Sequence, residues 1–304
     1  MKAAVFAKQG LELRDVSQPQ PKVGEVLVRV RYAGLNRRDL TRSPGDEGTI
    51  PGLDWSGERA DTGEPVMCMG ASGYAEYAVS GCVLPLPKGV DLEQAATLPV
   101  ALLTMHDALV GNGRLKRGET VLVQGASAGV GLMGLQIAKY LGASLVIGSS
   151  RSAAHREKLK SFGADLAIDT SDAKWADHVL EATKGKGVDL VIDQVSGEIF
   201  NATQKATAIR GRIVNVGRLG GMTAPFDFNL HALRRIEYIG VTFRTRTPDE
   251  VREIARRARE DLWPALEAGK LRLPVDRVFP LAEAQAAHER MKGNAHFGKI
   301  LLRM

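Results

Sequence analysis

Three absences narrow the reading of this 304-residue sequence. It holds two cysteines, Cys68 and Cys82, too few for a disulfide framework or a four-cysteine zinc site. No apolar run approaches the roughly 20 residues that span a bilayer, so no membrane partner is expected. The opening Met1-Lys2-Ala3-Ala4-Val5-Phe6 is too short an apolar stretch for a signal peptide, which predicts a cytoplasmic protein. Nor is there a basic block: 41 Lys and Arg against 35 Asp and Glu leave a net +6 scattered along the chain. That pattern, with no aromatics clustered among the cations, argues against a nucleic-acid partner and suits an anionic cofactor or plain solubility.

What is present is the composition of a soluble globular protein, 44% hydrophobic and 25% charged, in a chain long enough for two domains. Residues 1 to about 95 read as β-rich, with short runs at Lys2–Ala7, Glu25–Ala33, Pro65–Met69 and Tyr74–Val79 separated by Gly and Pro. From about Leu98 strands alternate with helices. Strands are predicted at Thr120–Gln124, Ser144–Ser149, Asp165–Ile168, Val188–Asp193, Arg212–Val216 and Glu237–Phe243. The helices between them are predicted at about Val130–Leu141, Ala153–Phe162, Trp175–Thr183 and Gly197–Ile209, with another over Pro248–Ala268. Six strands joined by right-handed crossovers predict a doubly wound α/β sheet over residues 98–244. The tail returns to short strands at Arg277–Phe279 and Lys299–Leu302, so residues 245–304 are expected to rejoin residues 1–97 in a β-rich domain.

The segment from Glu119 to Ala143 carries the chemistry. A β-prone run, Val121-Leu122-Val123, turns through Gly125-Ala126-Ser127-Ala128-Gly129-Val130-Gly131 and enters a helix pattern. A small-residue turn at a helix start leaves backbone N–H groups and the positive end of the helix dipole facing one point, where a diphosphate binds. Ala126, Ala128 and Gly131 stand where G-x-G-x-x-G has its glycines, so the alternative is an ordinary strand-to-helix turn. Ala128, Gly129 and Val130 are the candidate N–H donors. NAD-binding folds place Asp or Glu after the second strand for the ribose. Here the residues are Ser149-Ser150-Arg151-Ser152, with Arg156 and Lys158 following. A 2′-phosphate suits hydroxyls and a guanidinium and is repelled by carboxylates, so the cofactor is read as NADPH, unless Arg151 and Arg156 only solvate a helix start.

The chain as a whole resembles the zinc-independent quinone oxidoreductases of the medium-chain dehydrogenase/reductase superfamily. The matching blocks are Gly34-Leu35-Asn36-Arg37-Arg38-Asp39, Pro51-Gly52-Leu53-Asp54-Trp55-Ser56-Gly57, Gly73-Tyr74-Ala75-Glu76-Tyr77, Leu103-Thr104, the turn at 125–131, Gly211 to Gly217 and Gly298-Lys299-Ile300. The resemblance implies a GroES-like β-rich domain, a Rossmann domain, an active site in the cleft between them, and homodimers joined at the edge strand Ile236–Phe243. It implies reduction of a quinone or α,β-unsaturated carbonyl by hydride from NADPH, with an enoyl-thioester reductase as the alternative. Some relatives bind nucleic acid or serve as crystallins.

Residue roles follow from the same resemblance. Zinc alcohol dehydrogenases have Cys and His where this chain has Asn36 and Leu53, so no metal is expected. Asn36 is implied near the nicotinamide, or it merely forms a turn. Thr104 is implied beside the nicotinamide, or it caps a helix. Asn215, Gly217 and Arg218 are implied on the cofactor loop, Phe243 near the carboxamide, and Lys299 near the cofactor unless it is a surface lysine. His106 replaces an aromatic residue; it is read either as a proton donor at the cleft mouth or as structural. The tyrosine that enoyl reductases often carry after the asparagine block is missing from Leu40–Asp46. The short loop Arg42–Ile50 predicts an open cleft.

Overall fold

Val26, Val28 and Val30 alternate with Arg29 and Arg31, the pattern of a strand with one face in the core, and a strand forms there with Val28 and Val30 buried. The computed structural model describes residues 1–41 and 45–304. Of the Arg42–Ile50 loop, Arg42, Ser43 and Pro44 lie outside the described residues. Two units divide the chain, Met1–Val100 with Thr247–Met304, and Ala101–Arg246.

The first part of unit one consists of β1 (Lys2–Ala7), β2 (Gly10–Asp15), β3 (Val26–Gly34), β4 (Asp54–Arg59), β5 (Pro65–Met69), β6 (Tyr77–Ser80), β7 (Cys82–Pro85) and a short helix α1 (Leu92–Ala95). Helix α2 (Pro99–His106) leads into a π-helical turn, Asp107–Asn112. Unit two follows as β8 (Thr120–Val123), α3 (Gly129–Tyr140), β9 (Leu145–Ser149), α4 (Ala153–Leu159), β10 (Leu166–Ile168), α5 (Trp175–Ala182), β11 (Val188–Asp193), α6 (Phe200–Ala206), β12 (Thr207–Asn215), α7 (Phe228–Arg234) and β13 (Glu237–Gly240). The chain returns to unit one through α8 (Pro248–Glu267), β14 (Val275–Pro280), α9 (Ala284–Lys292) and β15 (Lys299–Arg303).

Unit one is a sheet in the order β14-β15-β3-β4-β5-β7, with β6 on β3, beside the hairpin β1-β2. Strand β15 pairs antiparallel with β3, Leu301 opposite Gly34, so the end of the chain completes a sheet begun near its start. Trp55, Tyr74, Val28 and Ile300 are buried together in its core. Full burial of one such side chain contributes roughly 1.5–3 kcal/mol. Helix α8 starts with a Thr247–Glu250 capping box and Pro248, and buries Ile254, Ala255, Ala258, Leu262, Ala265 and Leu266 at helical spacing.

Unit two is one parallel sheet in the order β10-β9-β8-β11-β12-β13. Counting from β8 this is 3-2-1-4-5-6, the doubly wound Rossmann order, with β8 and β11 at the switch point. Its central strands are buried on both faces, as parallel strands under helices must be.

Three predicted boundaries need correction. The helix expected over Gly197–Ile209 stops at Ala206, because Thr207 already pairs with Val188 as the start of β12. The sixth strand ends at Gly240 and does not reach Phe243. The strand expected over Tyr74–Val79 runs Tyr77–Ser80, which leaves Tyr74 ahead of it, fully buried and with its hydroxyl engaged as described below.

Candidate functional site

In unit two the turn after β8 is fitted to its glycines selectively. A Cβ on Gly131 would stand 2.6 Å from the Ala126 Cα, so the third position admits only glycine. Ala126 is fully buried, and Ala128 takes an ordinary extended conformation at the N-cap of α3. Alanine at the first two positions is therefore unstrained. An alanine N-cap has no side-chain oxygen for the first-turn N–H groups, so those of Gly129 and Val130 carry no cap. The Ala128 N–H, expected to face outward, turns back to the Gly125 carbonyl at 3.4 Å.

At the end of β9, Ser149 is buried and its Oγ accepts from the Gly125 N–H at 3.1 Å. Ser150 Oγ donates to Ser127 Oγ at 3.2 Å, tying the two turns together. Arg156, expected to be available to a phosphate, is committed elsewhere: Nη1 donates to the carbonyls of Ser150 (2.8 Å) and Arg151 (3.0 Å) and pairs with Asp169 at 2.8 Å. The Arg151 guanidinium is exposed and has no hydrogen bond or ion pair among the described residues.

At the end of β12, Asn215 is buried and its Nδ2 donates to Ser196 Oγ (2.8 Å) and Tyr238 Oη (2.6 Å). Gly217 lies against β11's exit, where a Cβ would meet the Gln194 carbonyl at 2.7 Å. Arg218 is exposed. Phe243 is half-buried beyond β13 under the Arg246 guanidinium, 5.8 Å from the ring centroid. Thr104 is half-buried in the interior of α2, not at a helix cap. His106 closes the same helix at 1% exposure, so it is not at a solvent-facing mouth.

Unit one gathers Asn36 and Lys299 into a buried polar cluster. Lys299 is 3% exposed, not a surface lysine. Its Nζ donates to Asn36 Oδ1 (3.0 Å) and pairs with Asp54 Oδ2 (3.2 Å). Asn36 Nδ2 donates to Asp54 Oδ1 at 2.8 Å. The Asn36 backbone N–H and the Tyr74 hydroxyl both donate to Asp39 Oδ2, at 2.8 and 2.9 Å. Burial pushes the Asp54 carboxyl up, and the Lys299 charge pulls it back. Burial, helped by the Asp54 charge, raises Asp39 to about 7 against the pull of its two donors. Sequence reasoning missed Asp39, Asp54 and Tyr74. Two signals point to them: Asp39 sits three residues after Asn36, at capping-box spacing, and Asp54 is a lone charge in an apolar stretch.

The donor set does not fit zinc. Among the described residues no three His, Cys, Asp or Glu side chains converge. Asn36 and Leu53 offer neither thiolate nor imidazole, and the Lys299 ammonium already supplies the positive charge beside Asn36. Both cysteines are buried, and burial pushes their thiols up, Cys82 to about 11.

A family model described as zinc-binding dehydrogenase matches residues 129–260. A quinone oxidoreductase of Pseudomonas aeruginosa is 31% identical, the match covering 99% of this chain and 97% of the relative. The chain belongs to the quinone oxidoreductase family. That family is part of the medium-chain dehydrogenase/reductase superfamily of oxidoreductases. The quinone oxidoreductase of Thermus thermophilus, solved also as its complex with NADPH, is 30% identical with a TM-score of 0.86 over 100% of both chains. A low-reducing polyketide synthase of Aspergillus calidoustus is 28% identical over 96% of this chain. The chain spans 13–14% of the length of such synthases.

The Asp39 environment has a consequence for stability. A carboxyl raised to about 7 on folding favours the folded state fully below pH 4, and that contribution is lost as pH rises to about 7. In Asp39→Asn the group no longer titrates. Urea midpoints measured from pH 4.5 to 8 should show the variant gaining on the parent protein as pH rises; parallel curves would refute the assignment.

Proposed function

We propose that this protein is an NADPH-dependent reductase delivering hydride to a quinone or an α,β-unsaturated carbonyl compound without zinc. The observation that carries the reading is the exit of β9 in a chain of this family: Ser150 and an unclaimed Arg151 guanidinium, with no carboxylate in the segment itself and the neighbouring Asp169 already paired with Arg156. Bound NADPH supplies the hydride. The chain's part is to hold and orient. Gly129 and Val130 N–H groups face the diphosphate, Ala126 and Gly131 keep the turn tight, and Ser149 and Arg156 brace the two turns rather than touch the ligand.

Thr104, Gly217, Arg218 and Phe243 belong in this reading to the nicotinamide end. The hydroxyl of Thr104 is a candidate donor to the acceptor oxygen on which negative charge develops. Asn36 and Lys299 act through their mutual clamp on Asp54, since both amide hydrogens of Asn36 are committed, to Asp54 and to the Gly34 carbonyl. His106, being buried, is assigned no proton transfer. Likeness to polyketide synthases over nearly the whole chain favours one second reading, reduction of an enoyl thioester.

We also propose a homodimer through the outer edge of β13. That strand has no partner on its far side among the described residues, and Ile209, Phe228 and Leu233 nearby are exposed.

Each part has a direct measurement. Arg151→Ala should weaken NADPH binding by about 10- to 100-fold, against little change for NADH; equal losses would remove the phosphate role. NADPH oxidation followed against quinones, enones and enoyl-CoAs should be rapid with a quinone or enone. Turnover confined to enoyl-CoAs would establish the second reading instead. Sedimentation equilibrium should return twice the 32.7 kDa chain mass, and a monomer at micromolar concentration would refute the dimer.

A further inference from the structure

A carboxyl group lies buried at the edge where the sheet of unit two opens toward ligands. Asp193 ends β11, one of the two strands at the switch point, and is fully buried. A carboxyl out of water is costly unless donors surround it, and here they do. Asp193 Oδ1 accepts from the Val195 and Ser196 N–H groups, both at 2.8 Å, and the Ser196 hydroxyl lies 3.2 Å from Oδ2. Burial pushes the Asp193 carboxyl up; the Ser196 and Val195 donors and the Arg218 charge pull it back.

Those donors belong to a strained turn. Ser196 is held at φ 54°, ψ −144°, a backbone region that residues with side chains rarely occupy, and such strain gathers at functional sites. The turn carries the loop after β12. The Val216 and Gly217 N–H groups donate to the Asp193 carbonyl at 2.8 and 3.1 Å, the Leu219 N–H to that of Gln194 at 3.2 Å, and the Gly220 N–H to that of Val195 at 2.7 Å. The Ser196 hydroxyl also lies 3.1 Å from the Gly217 carbonyl, so a single hydroxyl separates the Asp193 carboxyl from Gly217.

Holding the turn requires an acceptor at this position but not a charge. An asparagine would offer the same oxygen to the two N–H groups and donate its amide hydrogen to Ser196 Oγ. The negative charge is thus surplus to the architecture, and it has a chemical use. NADPH carries a neutral nicotinamide ring and NADP+ a cationic one. A fixed negative charge in surroundings poor in water favours the cation, and so favours loss of hydride from the ring. Arg218 has the opposite sign but is exposed, so solvent screens it more than it screens the buried carboxyl.

We propose that Asp193 is a positioning residue of the cofactor site: its carboxylate holds the Ser196 turn against Gly217, and its charge favours the cationic ring of NADP+ over the neutral ring of NADPH. This rests on the assignment of Gly217 and Arg218 to the nicotinamide end.

Calorimetric titration of the full chain with NADPH and with NADP+, at one pH and one salt concentration, tests it. Asp193→Asn keeps the acceptor oxygen and removes the charge. It should weaken NADP+ roughly 5- to 10-fold while NADPH changes less than about twofold. A loosened turn alone would weaken both nucleotides alike; that result, or no change in either, would overturn the proposal. Failure of the unaltered protein to bind either nucleotide would instead remove the cofactor reading, and this proposal with it. Circular dichroism checks the fold of the variant. Asp193→Ser, whose hydroxyl also accepts an N–H, makes the same comparison should the first variant not fold.

Discussion

A charge removed from water must be matched where it lies, and in unit one that requirement joins distant parts of the chain. Lys299 on β15 meets Asp54 on β4 and Asn36 after β3, all buried. Removing one partner of such a pair leaves the other charge uncompensated, at a cost of roughly 3–5 kcal/mol. Neighbouring choices follow from it. A Cβ on Gly34 would stand 2.6 Å from Asp54 Oδ1 and 3.1 Å from Lys299 Cε, so the strand must be bare at that point. Asp39 and Tyr74 form a second layer that fixes the Asn36 backbone. The asparagine in this family block is thus held from three sides before any ligand arrives.

Unit two answers a different constraint. Its parallel strands end together, and the carboxyl edge collects backbone and side-chain groups that the sheet does not satisfy. The helix start at Gly129 leaves N–H groups uncapped, while Ser149, Ser150 and Arg156 close the adjoining turn with their own hydrogen bonds. Arg151 is what remains outside that mesh. The division between residues that build the edge and residues left for a ligand is therefore drawn by hydrogen-bond commitment, not by residue type. Two arginines five positions apart fall on opposite sides of it.

Much of this was legible from periodicity. The six parallel strands and the turn at 125–131 stand close to where apolar runs and small residues predicted them, because buried parallel strands and tight turns leave strong local signals. Less local features were not readable. The start of β12 looked helical because Thr207 is decided by pairing with Val188 and not by its own sequence, with Ala208 and Ile209 following it in an irregular stretch before Arg212 rejoins the register. Lys299 read as equally suited to a surface, since its burial depends on an aspartate 245 positions away. Arg156 looked like a phosphate ligand, and only the folded turn shows its hydrogen bonds to be spent.

Unit two is one uninterrupted stretch, whereas the sheet of unit one needs β3 and β15, more than 260 residues apart. A ribosome therefore finishes every strand of the Rossmann unit well before it makes the strand that closes the other sheet. Until Lys299–Arg303 emerges, β3 has β6 against Val26–Arg29 but no neighbour on that side along Tyr32–Gly34, and Asp54 lacks its counter-ion. The nascent chain carries that open flank through most of its synthesis, and the last strand acts as the latch of the fold.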